Sequence, residues 1–117
     1  MKRTPLRRVS RKRQALQPAY NEFRQTILER DGHICQFYTY VLDSPDWRSA
    51  DLANVPARCN GALEVHHIIP RSAWPEGVQV ESNCVTLCGL AHHPWVTDNP
   101  DKAHRVGLHG FSWERPS

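Results

Sequence analysis

An apolar, β-branched run in the 117-residue chain carries two adjacent histidines and reads Leu63-Glu64-Val65-His66-His67-Ile68-Ile69-Pro70. Its composition predicts a strand over residues 62–69, because a proline disfavours helix at the residue before it. A second pair, His92 and His93, follows one predicted hairpin later, with Asn83 between the pairs. Imidazoles grouped in this way can hold a divalent metal ion beside a proton acceptor. The pattern therefore predicts a metal site with a general base.

The flanking sequence predicts a small α+β domain. Tyr20, Phe23, Ile27 and Leu28 form an apolar stripe that ends at Asp31-Gly32, and Pro18 suits a first helical turn. Aromatic and β-branched residues favour strand over residues 36–42. The predicted elements are a helix over 18–30, strands over 36–42, 62–69 and 84–87, and a short helix over 99–104 that Gly107 can end.

Composition narrows the class of protein. Nine prolines, six glycines and a modest apolar fraction predict one domain with a small core, which a bound metal would stabilise. No segment resembles a transmembrane span, and the positive N-terminus lacks the apolar stretch of a signal peptide. We therefore expect a cytoplasmic protein. In that reducing compartment, four cysteines beside seven histidines favour metal ligation over disulfides.

Charge is unevenly divided along the chain. The first 13 residues hold seven basic residues and no acidic one, whereas the rest holds eight basic and twelve acidic residues. An arm of this composition is expected to be disordered alone and to bind DNA phosphates with release of counterions. The alternative is a solubilising tail or a targeting signal. The predicted DNA-binding residues of the arm are Lys2, Arg3, Arg7, Arg8, Arg11, Lys12 and Arg13.

Several segments together resemble the HNH endonucleases, members of the ββα-metal or His-Me finger group. They are Glu64–Pro70, Asn83–Cys88, His92–Val96, Asn99-Pro100 and the leading segment Glu29–Gln36. The resemblance runs from about residue 22 to 108 and implies a zinc-stabilised ββα-metal domain. We place the basic arm at 1–17, the HNH domain at 18–110 and a C-terminal tail at 111–117.

The resemblance implies roles for the first histidine pair. His66 would bind the catalytic cation, and His67 would be the general base that takes a proton from the attacking water. Neighbours on a strand point to opposite faces, so the pair can converge only near the strand end. The Asn83 amide would hydrogen-bond loop backbone and hold His67 in place.

The second pair is divided by the same resemblance. The sequence leaves open whether His92 or His93 is the second ligand of the catalytic cation. Counting back from Pro94 favours His93 and leaves His92 for a structural metal. Thr97 departs from the family, since many relatives carry another histidine there.

A structural zinc site is the expected use of the remaining soft ligands, which are Cys35, Cys59, Cys88 and His92. The spacing is irregular: Tyr38 occupies the second position of the usual Cys-x-x-Cys, and Cys59 serves only if residues 39–58 loop out. We assign Cys84 to the core as a small buried residue. The alternative is that no zinc binds.

Other polar residues receive lesser roles. Arg71 follows Pro70 and could clamp a phosphate, although a solvated loop arginine is an equal alternative. His33, His104 and His109 are expected to be surface imidazoles.

These predictions combine into a metal-dependent DNA endonuclease or nickase of low sequence specificity. Its catalytic cation would be Mg²⁺, Mn²⁺ or Ni²⁺, its structural ion zinc and its substrate double-stranded DNA. We expect a monomer or weak dimer without membrane contact. Similar small proteins are common in phage genomes near DNA-packaging genes, so a terminase partner in a host cytoplasm is a further hypothesis. The alternatives are a non-catalytic zinc-stabilised DNA-binding module and a packaging accessory protein.

Overall fold

Two antiparallel strands and four helices make up the computed structural model, which describes residues 11–45 and 54–116. The helices are α1 (Arg11–Arg30), α2 (Phe37–Asp43), α3 (His92–Asp98) and α4 (Pro100–Arg105), and the strands are β1 (Leu63–His67) and β2 (Cys84–Cys88). Short 3₁₀ turns cover Pro75–Gln79, Glu81–Asn83 and Ser112–Glu114. The sequence β1, β2, α3 forms the expected ββα unit, so the predicted α+β class is confirmed.

The sheet is covered on both faces. Val65 and Cys84 face α1, where they pack with Ile27 and Leu28. The opposite face of β2 packs against α2, α3, α4 and the following segment, in a core of Phe37, Val41, Val85, Leu87, Trp95, Val96, Ala103, Val106 and Leu108. Because both sides are covered, every residue of β2 is buried. The prediction that Cys84 belongs to the core is confirmed.

Two predicted elements were wrong in extent or type. The first helix begins at Arg11 and contains Pro18 in its interior, whereas the sequence analysis began it at Pro18. Good helix formers precede the proline, so the helix continues at the loss of one backbone hydrogen bond. The predicted strand over 36–42 is the helix α2. Its buried residues, Phe37 and Val41, are four apart, so packing on one helical face prevails over aromatic strand propensity.

A polar junction ties the end of α1 to β2. The Arg30 guanidinium donates to the carbonyl oxygens of Glu81 and Cys84, at 2.7 Å each. It also pairs with the Asp31 carboxylate, whose Oδ2 accepts from the Thr86 backbone N–H at 3.0 Å. Partial burial raises the pKa of Asp31, but hydrogen bonds from Arg30 and Thr86 outweigh it and hold that pKa below 3.8. This junction fixes the chain that leads into Cys35.

The chain after α4 returns to the end of β1. Gly107 adopts φ +82° and ends α4, as predicted. The Gly110 N–H then donates to the Ile68 carbonyl at 2.8 Å, and Gly110 lies so close to Ile69 that a Cβ would meet its Cγ1 at 2.7 Å. The segment expected to be a C-terminal tail packs back, because Glu114 accepts hydrogen bonds from His104. None of the helices in residues 11–45 and 54–116 has the length and apolar character needed to cross a membrane.

Candidate active site and metal centre

One cluster of ligands lies where β2 ends and α3 begins. It joins Cys35, Cys59, Cys88 and His92, whose ligand atoms all lie within 4.8 Å of one another. The His92 Nδ1 atom is 3.2 Å from the Sγ of Cys88, 3.5 Å from that of Cys35 and 3.6 Å from that of Cys59. Bond lengths of about 2.3 Å for Zn–S and 2.0 Å for Zn–N place sulfur and nitrogen roughly 3.5 Å apart around a tetrahedral ion. The donor set and its spacing therefore fit a zinc ion.

The surroundings of His92 hold its ring for this purpose. Its Nε2–H donates to the Pro56 carbonyl at 2.8 Å, which leaves the Nδ1 lone pair directed at the sulfurs. The ring is fully buried and stacks on Phe37, with centroids 4.4 Å apart and planes within 6°. A loop that brings Cys59 and Pro56 to the cluster thus supplies both a ligand and the acceptor that orients another ligand.

The three thiols differ in acidity. Burial raises the pKa of Cys35, and desolvation together with the neighbouring thiols raises that of Cys59 to about 12. Desolvation also acts on Cys88, but the backbone N–H groups of His92 and Asn60 outweigh it and lower its pKa below 9.0. Cys88 is therefore the thiolate favoured first, and a cation would favour ionisation of the other two.

A second group of histidines lines an open cleft of about 360 Å³ at the end of β1. His66 is buried on the α3 side of the sheet, and its Nε2–H donates to the Leu108 carbonyl at 2.6 Å. The His93 Nδ1–H donates to Glu64 at 2.6 Å, and the two rings lie 5.2 Å apart. Among the described residues, no protein group bonds the other nitrogen of either ring, which is Nδ1 in His66 and Nε2 in His93. The cleft is lined by His66, His67, Pro70, Arg71, His93, Val96, Thr97, Pro100 and His109.

His67 reaches the same cleft from the other face of β1. Its ring lies on the side of α1, 6.4 Å from the Tyr20 ring, and its Nε2–H donates to the Val78 carbonyl at 3.0 Å. Burial lowers the pKa of His67 below 6.5, and that of His66 more strongly, to about 4. Both imidazoles are neutral at pH 7, and the two faces of β1 meet at the cleft because the strand ends at His67.

Asn83 bonds the loop between the strands at two places. Its Oδ1 accepts from the Ile69 N–H at 2.8 Å, and its Nδ2 donates to the carbonyl oxygens of Ile69 and Gly77 at 3.1 Å each. Ile69 lies two residues after His67, and Gly77 directly precedes Val78, the acceptor of the His67 ring. The Asn83 side chain therefore connects both chain segments that determine the position of His67.

A family model described as HNH endonuclease matches residues 53–92. We call those residues the HNH segment, after the family that they resemble. The match confirms the resemblance seen in the sequence, and no curated protein or solved structure matches the chain. The HNH segment contains His66, His67 and Asn83, whose side chain bonds the loop beside His67. It also contains three of the four clustered ligands. It indicates a nuclease-type hydrolase that acts on nucleic acid, and the HNH family is one that uses a divalent cation.

At the end of the HNH segment, the structure separates the second histidine pair. His92 faces the cysteines, whereas His93 lines the cleft, which is the division that the count from Pro94 predicts. Thr97 also lines the cleft, and its hydroxyl donates to the His93 carbonyl at 3.0 Å. The exposed Arg71 lies at the cleft edge.

The sequence analysis missed one residue that bonds a cleft histidine and misplaced one residue of the cleft itself. Glu64 was not singled out, although the strand period of two places it on the same face as His66. His109 was expected on the surface, but it lines the cleft beside the other histidines. No local sequence pattern predicts this position, because α4 and the turn at Gly107 bring His109 to the cleft.

The basic arm is only partly described. Lys2, Arg3, Arg7 and Arg8 lie outside the described residues. Arg11, Lys12 and Arg13 belong to the first turn of α1, so the predicted arm over 1–17 includes helical residues.

Proposed function

We propose that this protein is a metal-dependent endonuclease or nickase that hydrolyses phosphodiester bonds in double-stranded DNA. The observation that carries the proposal is the convergence of His66, His67 and His93 on one open cleft, each with one nitrogen fixed by a hydrogen bond. Fixed tautomers leave the opposite nitrogen of each ring available for the cation or for a proton.

Two of these rings would hold the cation and the third would move the proton. His66 and His93 would bind Mg²⁺, Mn²⁺ or Ni²⁺, which supplies Lewis-acid stabilisation of the charge on the phosphate and the leaving oxygen. The residues themselves leave open coordination positions, since in the described part of the chain only the cysteine cluster gathers three ligand atoms within 4.8 Å. Water and a phosphate oxygen can occupy those positions.

His67 would act as general base through its Nδ1 atom. Because its Nε2–H is held by the Val78 carbonyl, the neutral ring presents its lone pair at Nδ1. A water molecule beside Nδ1 gives its proton to the ring as its oxygen attacks phosphorus and the bond to the leaving oxygen breaks. The lowered pKa of His67 keeps the ring unprotonated at neutral pH.

The cysteine cluster would hold a structural zinc ion. Cys35 precedes α2, Cys59 lies before β1, Cys88 ends β2 and His92 begins α3, so one ion would join four parts of the domain. It would also fix the direction of α3, which carries His93 to the cleft.

DNA would be held mainly through its backbone. We propose that the hairpin and α3 enter the minor groove, while the basic arm and Arg71 contact phosphates, so sequence specificity is low. A single cleft cuts one strand at a time, and double-strand cleavage would need two copies or a partner. A role beside a phage packaging terminase in a host cytoplasm is the biological setting that we propose.

A plasmid assay tests the proposal. Supercoiled plasmid is incubated with the protein and Mg²⁺, Mn²⁺ or Ni²⁺, with a chelator control. We expect nicking by the unchanged protein, a loss of roughly a hundredfold or more in His67→Ala, and full activity in His33→Asn. The control fits because His33 is exposed and has φ +55°, a conformation that asparagine tolerates. DNA binding without nicking under any cation would instead favour the non-catalytic zinc-stabilised module.

A further inference from the structure

The residue at the centre of the C-terminal return, His109, is held at the cleft by the backbone on both sides of it. The carbonyl of Leu108 accepts the His66 Nε2–H, and the N–H of Gly110 donates to the Ile68 carbonyl. Leu108 is fully buried in the core. His109 is thus fixed between two contacts with β1 and the residue after it, and its placement does not depend on a mobile end.

The His109 ring makes no hydrogen bond to the described part of the chain. Its edge packs against Phe111, with ring centroids 5.0 Å apart, and it lines the cleft that holds His66, His67 and His93. Within residues 11–45 and 54–116, neither of its ring nitrogens has a hydrogen-bond partner. The other three histidines of the cleft each have one nitrogen bonded to protein.

The cleft has polar groups that suit contact with a phosphate. Its described lining includes four imidazoles and the Arg71 guanidinium, and it includes no carboxylate. A phosphate group needs hydrogen-bond donors that converge on its oxygens. Among the described lining, Arg71 and His109 can supply them, because the N–H of each other imidazole is already bonded to protein. These two hydrogen-bond donors therefore suit contact with a phosphodiester.

His109 is placed differently from a metal ligand. If it completed a cation site with His66 and His93, three ligand nitrogens would lie close together. In the described residues, the only such set within 4.8 Å is the cysteine cluster. A position in the same cleft, without membership of such a ligand set, suits contact with the substrate.

We propose that His109 is a substrate-contacting residue that donates a ring N–H to a non-bridging oxygen of the DNA phosphate bound in the cleft. This inference rests on the proposed nuclease function. It adds a catalytic residue from outside the HNH segment, and one that only the return of the chain after α4 brings to the cleft.

The test compares His109→Ala and His109→Asn with the control His33→Asn. Three quantities are measured: the affinity for a short DNA duplex in Ca²⁺, the single-turnover cleavage rate in Mn²⁺, and the affinity for Mn²⁺ without DNA. We expect His109→Ala to weaken duplex binding and slow cleavage, by about tenfold to a hundredfold in the rate, since the lost hydrogen bond is to a charged group. His109→Asn should recover part of both losses, because it retains an N–H donor.

The Mn²⁺ affinity separates this role from the alternatives. An unchanged value is expected in both His109 variants, and a fall as large as that in His93→Ala would overturn the proposal by making His109 a ligand. Cleavage and duplex binding equal to the unchanged protein would also overturn it. If the unchanged protein does not cleave DNA with any of the cations, the proposed function fails. The duplex affinity in Ca²⁺ then shows by itself whether His109 contacts DNA.

Discussion

The ring of His67 and the backbone carbonyl of Val78 are joined by a hydrogen bond of 3.0 Å from Nε2. Val78 lies in the 3₁₀ turn Pro75–Gln79, whose Gly77 carbonyl accepts from the Asn83 amide. The same amide bonds Ile69, two residues beyond His67. The proposed general base is therefore held by a loop that closes on itself through one buried side chain.

Replacement of Asn83 should reduce cleavage through the position of His67. In Asn83→Ala, the N–H and carbonyl of Ile69 lose their Asn83 partner, and the Gly77 carbonyl keeps only the Val80 N–H. We therefore expect a stability loss of about 1–3 kcal/mol and a cleavage loss of about 10–100-fold. Cleavage rates and denaturant unfolding measure the two effects. Ser82→Ala, at an exposed neighbouring position, is the control. A variant that cleaves at the original rate would contradict the role of the loop.

Replacement of Glu64 should act on the catalytic cation through His93. The carboxylate accepts the His93 Nδ1–H at 2.6 Å and so directs Nε2 toward the cleft. We expect Glu64→Ala to weaken Mn²⁺ binding about 10–100-fold, while Glu64→Gln, which retains an acceptor, loses less. Calorimetric titration checks this, with the exposed loop residue in Glu76→Ala as a control. Equal Mn²⁺ affinity in all three variants would show that Glu64 does not orient His93.

The zinc content of cysteine variants tests which cysteines bind the structural ion. Protein purified without added metal should contain about one zinc ion per chain. Cys88→Ser and Cys59→Ser should reduce that content well below one, because each removes a ligand of the cluster. Cys84→Ser should retain the zinc, since Cys84 is buried on the α1 face and lies outside the cluster. Zinc lost equally from all three variants would mean that general destabilisation, and not ligation, controls the content.

Local patterns were sufficient for the ββα unit. The β-branched run around Val65 predicted β1, and the Asn99-Pro100 start and Gly107 end of α4 were both visible in the sequence. The separation of His92 from His93 was predicted by aligning Pro94 and the residues after it with the family pattern and counting back. Each of these features depends on residues close together in the chain.

Long-range contacts determined what was missed. Residues 36–42 have strand propensity, but Phe37 and Val41 are drawn to one core, which makes the segment helical. His109 is 42 residues beyond His67, and only the return through the core residue Leu108 brings it to the cleft. Propensity and spacing do not contain such information, because it arises from packing.

Removal of charge from the arm should weaken DNA binding in a salt-dependent manner. Replacement of Lys2, Arg3, Arg7 and Arg8 by glutamine leaves α1 intact while removing four charges. Each lost phosphate contact should reduce the slope of log affinity against log salt by about 0.9. Titration of a short duplex at several salt concentrations measures the slope. An unchanged slope would instead support the alternative that the arm is a solubilising tail or a targeting signal.

The junction at Asp31 should make stability depend on acid. Its pKa is held below 3.8 in the folded chain, mainly by Arg30 and the Thr86 N–H against the opposing effect of burial. A carboxyl group with a lowered folded pKa contributes stability above its unfolded pKa and loses it as pH falls through the folded value. Compared with Asp31→Asn, the unchanged protein should be more stable by about 1 kcal/mol near neutral pH, a value reduced by solvent screening at Arg30. This difference should shrink between about pH 5 and pH 3.

Comparing the two proteins at each pH cancels the loss of zinc in acid, and Asp43→Asn, at an exposed position in α2, should show no such trend. A difference that stays constant down to about pH 2 would mean that the Asp31 charge does not stabilise the fold.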